Sequence, residues 1–195
     1  MTPAGTPASP GASLWLVRSF AFAVLAFAWW RLSENTADND LWGHVLYGQR
    51  MLALGGLETT ETLSWTAAGL PWINHEVLAE LALGLTQRPP AGTGPWALIM
   101  LLAGVTLGWA WFTGAGPDRA RRLTALALLA LSTNFIALGY AVRPQLFTYF
   151  FFVALLVALR KLFAGGLAWG FALPPLLFIW VNTHGGFLAG WAILL

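Results

Sequence analysis

LWLVRSFAFAVLAFAWWRL, residues 14–32, carries two arginines and no acid. Its length is close to the roughly 20 mostly apolar residues that a helix needs to cross the hydrocarbon core of a bilayer. Arg18 followed by Ser19–Ala28, with Ala26-Phe27-Ala28 as a small-x-small site, imitates a signal peptide. The apolar run continues, however, through Trp29 and Trp30, the interfacial aromatics of an uncleaved anchor. Residues 1–13, mostly Pro, Gly, Thr, Ser and Ala, cannot bury a core and read as a disordered tail.

Outward from this stretch the same composition recurs at 96–112, 123–140, 146–159 and 167–181, with 187–195 as the start of a further span. The fourth run is short and crosses only if Arg160 and Lys161 snorkel. Pro174 and Pro175 are expected to kink the fifth. Over the whole chain 58% of residues are hydrophobic and 9% charged, with a mean hydropathy of +0.68. Soluble domains carry about 25% charged residues. The expected fold is therefore all-α, a polytopic transmembrane helical bundle over 14–195, and the closing nine residues suggest that a longer protein continues beyond them. No basic stripe follows a phosphate backbone, which argues against a nucleic-acid partner. The absence of cysteine excludes disulfides, thiolate metal sites and thiol nucleophiles.

Seven of the eight acids (Glu34, Asp38, Asp40, Glu58, Glu61, Glu76 and Glu80) fall between residues 34 and 80. Carboxylates are costly in lipid, so they belong in a watery loop or a protein-lined cavity. The loop 33–90 is expected to hold two interfacial amphipathic helices, one over 41–54 and one over 76–87 with Glu76 and Glu80 on one face. If 76–87 does not cross, Arg18, Arg119, Arg121, Arg122, Arg160 and Lys161 share one side. Arg31, Arg50, Arg88, Arg143 and seven acids share the other, which obeys the positive-inside rule. This places the protein in the plasma (inner) membrane as a multi-pass chain with its acidic loop extracytoplasmic. The 141–145 and 182–186 turns then emerge on the same face as that loop, and three polar turns can line one cavity.

Asp38-Asn39-Asp40 reads either as a helix N-cap or as a carboxylate pair for a hard cation or general base, with His44 one turn beyond Asp40. His75-Glu76 reads as a cap with dipole complement or as an acid/base and ligand pair, without the HExxH spacing of a zinc site. Arg143 is a helix-end anchor or a phosphate clamp. Asn182-Thr183-His184-Gly185-Gly186 is an exit turn whose Asn and His are unusual at such depth. Ser132-Thr133-Asn134 is expected to bond neighbouring helices.

In order, these elements resemble bacterial polytopic proteins related to the C-type glycosyltransferases, membrane enzymes that use polyprenyl-phosphate-linked sugars. The matching residues are Asp38, Asp40, Leu41, Trp42, His44 and Gly48, then Glu61-Thr62-Leu63-Ser64-Trp65-Thr66, Gly69, Pro71, Trp72, His75 and Glu76. Arg143-Pro144-Gln145 and Trp180, Asn182, His184, Gly185 and Gly186 follow. The resemblance runs from about residue 30 to the end and covers the amino-terminal part of such an enzyme. It implies transfer from a lipid-linked sugar on the extracytoplasmic face, with Asp40 and Asp38 as base or divalent-metal ligands. His44, His75, Glu76, Arg143, Asn182 and His184 would contact substrate. Where the family often adds a second external acid, this chain has Arg143 and Gln145, which points to phosphate binding. The rival reading is a non-catalytic membrane subunit or lipid-handling scaffold of the same fold. The expected partners are membrane lipid, a lipid-linked sugar and a carboxy-terminal remainder of the same protein. A transporter is disfavoured, because no inverted repeat is detectable and no charge lies well inside a span.

Overall fold

A computed structural model describes residues 10–87, 93–116 and 118–195. Residues 1–9, most of the expected tail, and Arg88 lie outside the described residues. Of the described residues 71% are helical, with no strand among them. In chain order the helices are α1 (Pro10–Leu32), α2 (Leu41–Leu54), α3 (Val77–Leu85), α4 (Thr93–Gly114), α5 (Arg119–Ala137) and α6 (Gln145–Phe163). A 3-10 segment (Leu167–Ala172), α7 (Leu173–Val181) and α8 (Phe187–Leu194) complete them.

Among the described residues, three segments are long and apolar enough to cross a membrane: Leu14–Leu32 in α1, Thr93–Gly114 in α4 and Gln145–Phe163 in α6. Only 17%, 17% and 33% of their apolar windows are buried inside the protein. Trp15, Phe22, Phe112 and Phe163 are among the large apolar side chains left exposed. A soluble monomer rarely leaves such contiguous apolar surface to water, and lipid is the solvent that suits it. The chain is thus a membrane-associated helical protein.

The other two expected spans have different shapes, for local reasons. The run at 123–140 lies in α5, which opens on Arg119, Arg121 and Arg122 and stops at Ala137, before the turn at 138–139. Its apolar part, 123–137, is about 22 Å long at 1.5 Å per residue. The run at 167–181 is divided. Pro174 and Pro175 do not kink a helix there; they lie in the first turn of α7, where the missing N–H groups would have had no intrahelical partner. The preceding residues therefore form the 3-10 segment. By contrast α6 extends past its expected end at Leu159 to Phe163, long enough to span without local thinning. Ser132, Thr133 and Asn134 bond the carbonyls of Leu128, Leu129 and Ala130 in their own helix, not neighbouring helices. The second lone pair of a helix carbonyl one turn back lies within closer reach than any polar group across an apolar interface.

α3 has nine residues, about 13 Å, and cannot cross a core of about 30 Å. It packs on α2, and its Leu78 N–H donates to the Asn182 carbonyl, which docks it on the end of α7. α1 and α4 are tied by two indole bonds, Trp29 Nε1 to Met100 O (2.9 Å) and Trp96 Nε1 to Ser33 O (2.8 Å). The loop after α1 is pinned to the α5–α6 turn by Val142 N–H donating to Thr36 O (3.0 Å). Beneath these links Leu32, Leu41, Val45, Leu83, Ile99, Val142 and Leu146 form one buried cluster. A second cluster centres on Trp180 with Phe151 and Leu155.

Candidate functional site

Two glycines decide the site. A Cβ on Gly48 of α2 would lie 1.9 Å from the Glu80 carbonyl oxygen, and one on Gly84 of α3 would lie 2.6 Å from the Gly48 carbonyl carbon. The helices cross backbone to backbone, which only glycine permits on both sides. One turn before each glycine stands a polar residue, His44 on α2 and Glu80 on α3. The crossing brings His44 Nδ1 to 3.1 Å from Glu80 Oε1. The Asn74 amide donates to the second oxygen of Glu80 and its carbonyl oxygen accepts the Glu76 N–H at 2.8 Å, fixing the approach to α3.

Glu76, one turn before Glu80, is the hub. Its carboxylate lies 3.6 Å from His44 Nδ1, 3.7 Å from His184 Nε2 and 3.9 Å from His75 Nε2. All three histidines of the chain therefore surround one carboxylate. Burial raises the Glu76 pKa, outweighing the opposing fields of His44 and His75; Glu80 and Asp40 add to the rise. Burial works to lower that of His44, but the bond to Glu80 and the charges of Glu76, Glu80 and Asp40 prevail and leave it above its ordinary value.

His184 has the opposite balance. Burial, then Arg143 and the other histidines, hold its pKa down. Its Nδ1 accepts the Gly186 N–H at 2.9 Å and faces the Thr148 hydroxyl at 2.9 Å. Since a backbone N–H can only donate, the neutral ring carries its proton on Nε2, the nitrogen that faces Glu76. The Trp180 indole donates to Thr148 Oγ1 (3.1 Å), so the second core cluster orients this histidine.

Arg143 Nη1 donates to Asp38 Oδ2 at 3.0 Å, its Nη2 bonds Gln145, and its Nε is buried without a partner. Asp38 Oδ1 accepts the Asp40 N–H (3.1 Å); Asp40 precedes α2 but makes no side-chain cap bond. These groups open on a cavity of about 520 Å³ lined by Asp40, His44, His75, Glu76, Glu80, Arg143 and His184, with Tyr47, Trp72 and Asn74. The three polar turns expected to meet do meet here.

Of the residues expected at the site, Asp40, His44, His75, Glu76, Arg143 and His184 line the cavity. Asp38 is held by Arg143 instead. Asn182 is not among the lining residues: its side chain bonds the Phe178 carbonyl and its own carbonyl docks α3. Among the described residues, three potential metal ligands converge at His44, Glu76 and Glu80, all within 4.8 Å of one another, rather than at Asp38 and Asp40. Glu80, Asn74, Tyr47 and Trp72 were not foreseen as site residues. The signal for Glu80 was present, in its four-residue spacing from both Glu76 and Gly84. Glu61, in the same acidic loop, has a structural task. Its carboxylate accepts the Leu63 and Ser64 N–H groups (2.6 and 2.7 Å) and the Tyr47 hydroxyl (3.2 Å), and the two backbone donors, Ser64 first, hold its pKa down. Tyr47 in turn stacks on Trp72 at 5.5 Å, walling the cavity.

Comparisons with protein-family models, curated proteins and solved structures found no match.

Proposed function

We propose that this chain is the amino-terminal part of an inner-membrane glycosyltransferase that takes a sugar from a polyprenyl phosphate in the cavity between α2, α3 and the turns at 143 and 184. One observation carries the reading: the half-buried Glu76 carboxylate, ringed by three histidines, shares a cavity at one end of the spanning helices with an arginine. The reaction is an inverting displacement. The acceptor oxygen attacks the anomeric carbon, the bond from that carbon to the donor phosphate oxygen breaks with its electron pair passing to phosphate, and a carboxylate takes the acceptor proton.

Glu76 suits the base, because a carboxylate with a raised pKa is the stronger proton acceptor. It takes the role given above to Asp40, which stands exposed at the rim. Arg143 has N–H groups beyond those bonded to Asp38 and Gln145, and with His184 Nε2–H it supplies donors for the phosphate. Asp38 acts by positioning Arg143.

His44, Glu76 and Glu80 also fit a divalent cation. His44 Nδ1 lies 3.1 Å from Glu80 and 3.6 Å from Glu76, and one ligand atom from each of the three lies within 4.8 Å of the others, so small side-chain shifts would bring them to the spacing of about 3.0–3.4 Å between ligands on a metal with bonds of about 2.1 Å. When bound, such an ion would add positive charge for the donor phosphate. The basic residues at the opposite ends of α1 and α6, with the acids on this side, favour an extracytoplasmic cavity by the positive-inside rule.

The test is sugar transfer from a radiolabelled polyprenyl-phosphate donor in membranes containing the full-length protein. Glu76→Gln is expected to lose about 100-fold or more of the rate, whereas Glu58→Gln, which only loses its partner Arg50, is expected to retain it. Transfer unaffected by Glu76→Gln would end the catalytic assignment, and wild-type membranes without transfer would favour the scaffold reading.

A further inference from the structure

A second cavity lies at the other end of the spanning helices. Gln145 and Arg160 mark the two ends of α6, about 23 Å apart at 1.5 Å per residue. Trp96 and Thr113 mark those of α4, about 26 Å apart. The space, of about 630 Å³, is bounded by residues 18–25 of α1, the end of α4, the start of α5 and the end of α6. Three arginines from three different helices face it: Arg18, Arg122 and Arg160. No carboxylate is among its described lining residues, and the one acid nearby in sequence, Asp118, is paired with Arg121 at 3.1 Å. Arg122 Nε donates to the Gly116 carbonyl (3.2 Å), which fixes that guanidinium against the α4–α5 turn.

The remaining wall is apolar and opens outward. Phe22 and Phe112 line it and are 75% and 88% exposed, toward the lipid side of α1 and α4. Three guanidiniums with no carboxylate paired to them among the described residues attract an anion, and forked N–H donors suit a phosphate. An inorganic phosphate would leave the aromatic wall unused. A phospholipid uses both, with its phosphate at the arginines and its chains against Phe22 and Phe112. Basic pockets between helices at a membrane surface have this chemistry.

We infer that the Arg18–Arg122–Arg160 cavity binds the headgroup of an anionic phospholipid, at the membrane face opposite the Glu76 cavity. This site is independent of the transferase reading, since none of its residues lines the first cavity.

The experiment is native mass spectrometry of the full chain in neutral detergent, titrated with phosphatidylglycerol, with phosphatidylcholine, and with phosphatidylglycerol in excess inorganic phosphate. Phosphatidylglycerol should be retained where phosphatidylcholine is lost, and inorganic phosphate should not displace it. Arg18→Gln with Arg160→Gln should weaken retention about thirtyfold, and Arg18→Gln alone about fivefold, from the usual worth of a basic side chain at an anionic surface. Arg119→Gln with Arg121→Gln removes the same charge outside the cavity and should change retention little. Equal binding of the two lipids, displacement by phosphate, or equal loss in the charge-matched variant would each overturn the proposal.

Discussion

Gly48→Ala tests the crossing that builds the first cavity. The added methyl would lie 1.9 Å from the Glu80 carbonyl oxygen, where ordinary contact begins at 3.4 Å, so α2 and α3 must separate by about 1.5 Å. The obstacle is backbone and cannot rotate away. Overpacking of this kind costs about 1–3 kcal/mol, or about 2–12 °C in Tm for a chain of this size. A separation of about 1.5 Å also takes His44 and Glu80 from 3.1 Å to beyond hydrogen-bond reach. Gly43→Ala is the matched control on the same helix. Its Cβ would meet nothing within 4 Å, so the higher helix propensity of alanine should stabilise the protein by about 0.5–1 kcal/mol. The assay is thermal unfolding in detergent, followed by circular dichroism, with the His44 titration by NMR as a second readout. Equal Tm values for the two variants, or an unchanged His44 titration in Gly48→Ala, would refute the close crossing.

Three further outcomes are expected. His44 titrates above its ordinary value because of Glu80 and Glu76, so its protonated contact stabilises the fold fully below pH 6.5 and loses that contribution as pH rises through the raised pKa. Wild-type Tm should therefore fall as pH rises above 6.5 through the raised pKa, a slope that Glu80→Gln should reduce. The Glu61 pKa is lowered, so its contribution is present above pH 4.5 and fades as pH falls through the depressed value. Glu61→Gln should expose the 58–72 loop to protease at neutral pH, and an equally resistant variant would remove Glu61 from its turn-forming role. Trp180 is fully buried, packed on Phe151 and against Gly190, and bonded to Thr148. Trp180→Ala should cost about 3–5 kcal/mol and free His184, seen as a shifted His184 titration.

The membrane character and the bounds of α2 were legible in the sequence, because both follow from composition and local spacing. Leu41, Val45, Gly48 and Met51 form its buried stripe. The common destination of the 38–40, 143–145 and 182–186 turns was also legible, since the ends of the helices decide it once the spans are drawn. What could not be read locally was which glycine matters. Gly43 and Gly48 are the same letter on the same helix, and only Gly84, thirty-six residues away, distinguishes them. That contact buries Glu80 beside His44 and gathers potential ligands at His44, Glu76 and Glu80. Asp38 drew attention as half of an acidic pair, yet its partner Arg143 lies 105 positions on. The prolines of α7 misled for a similar reason, since a proline's effect depends on whether it falls in a helix's interior or its first turn.

The most direct test of the central claim is saturable binding of a polyprenyl-phosphate sugar to the purified chain in nanodiscs, comparing wild type with Arg143→Gln and Glu76→Gln. In buffer without divalent cation, wild type is expected to bind, Arg143→Gln to bind at least about tenfold more weakly through the loss of charge-assisted bonds to phosphate, and Glu76→Gln to bind about as well as wild type, because a base acts on the acceptor. Wild-type protein that does not bind the donor, or Arg143→Gln that binds it undiminished, would contradict a donor site at this cavity.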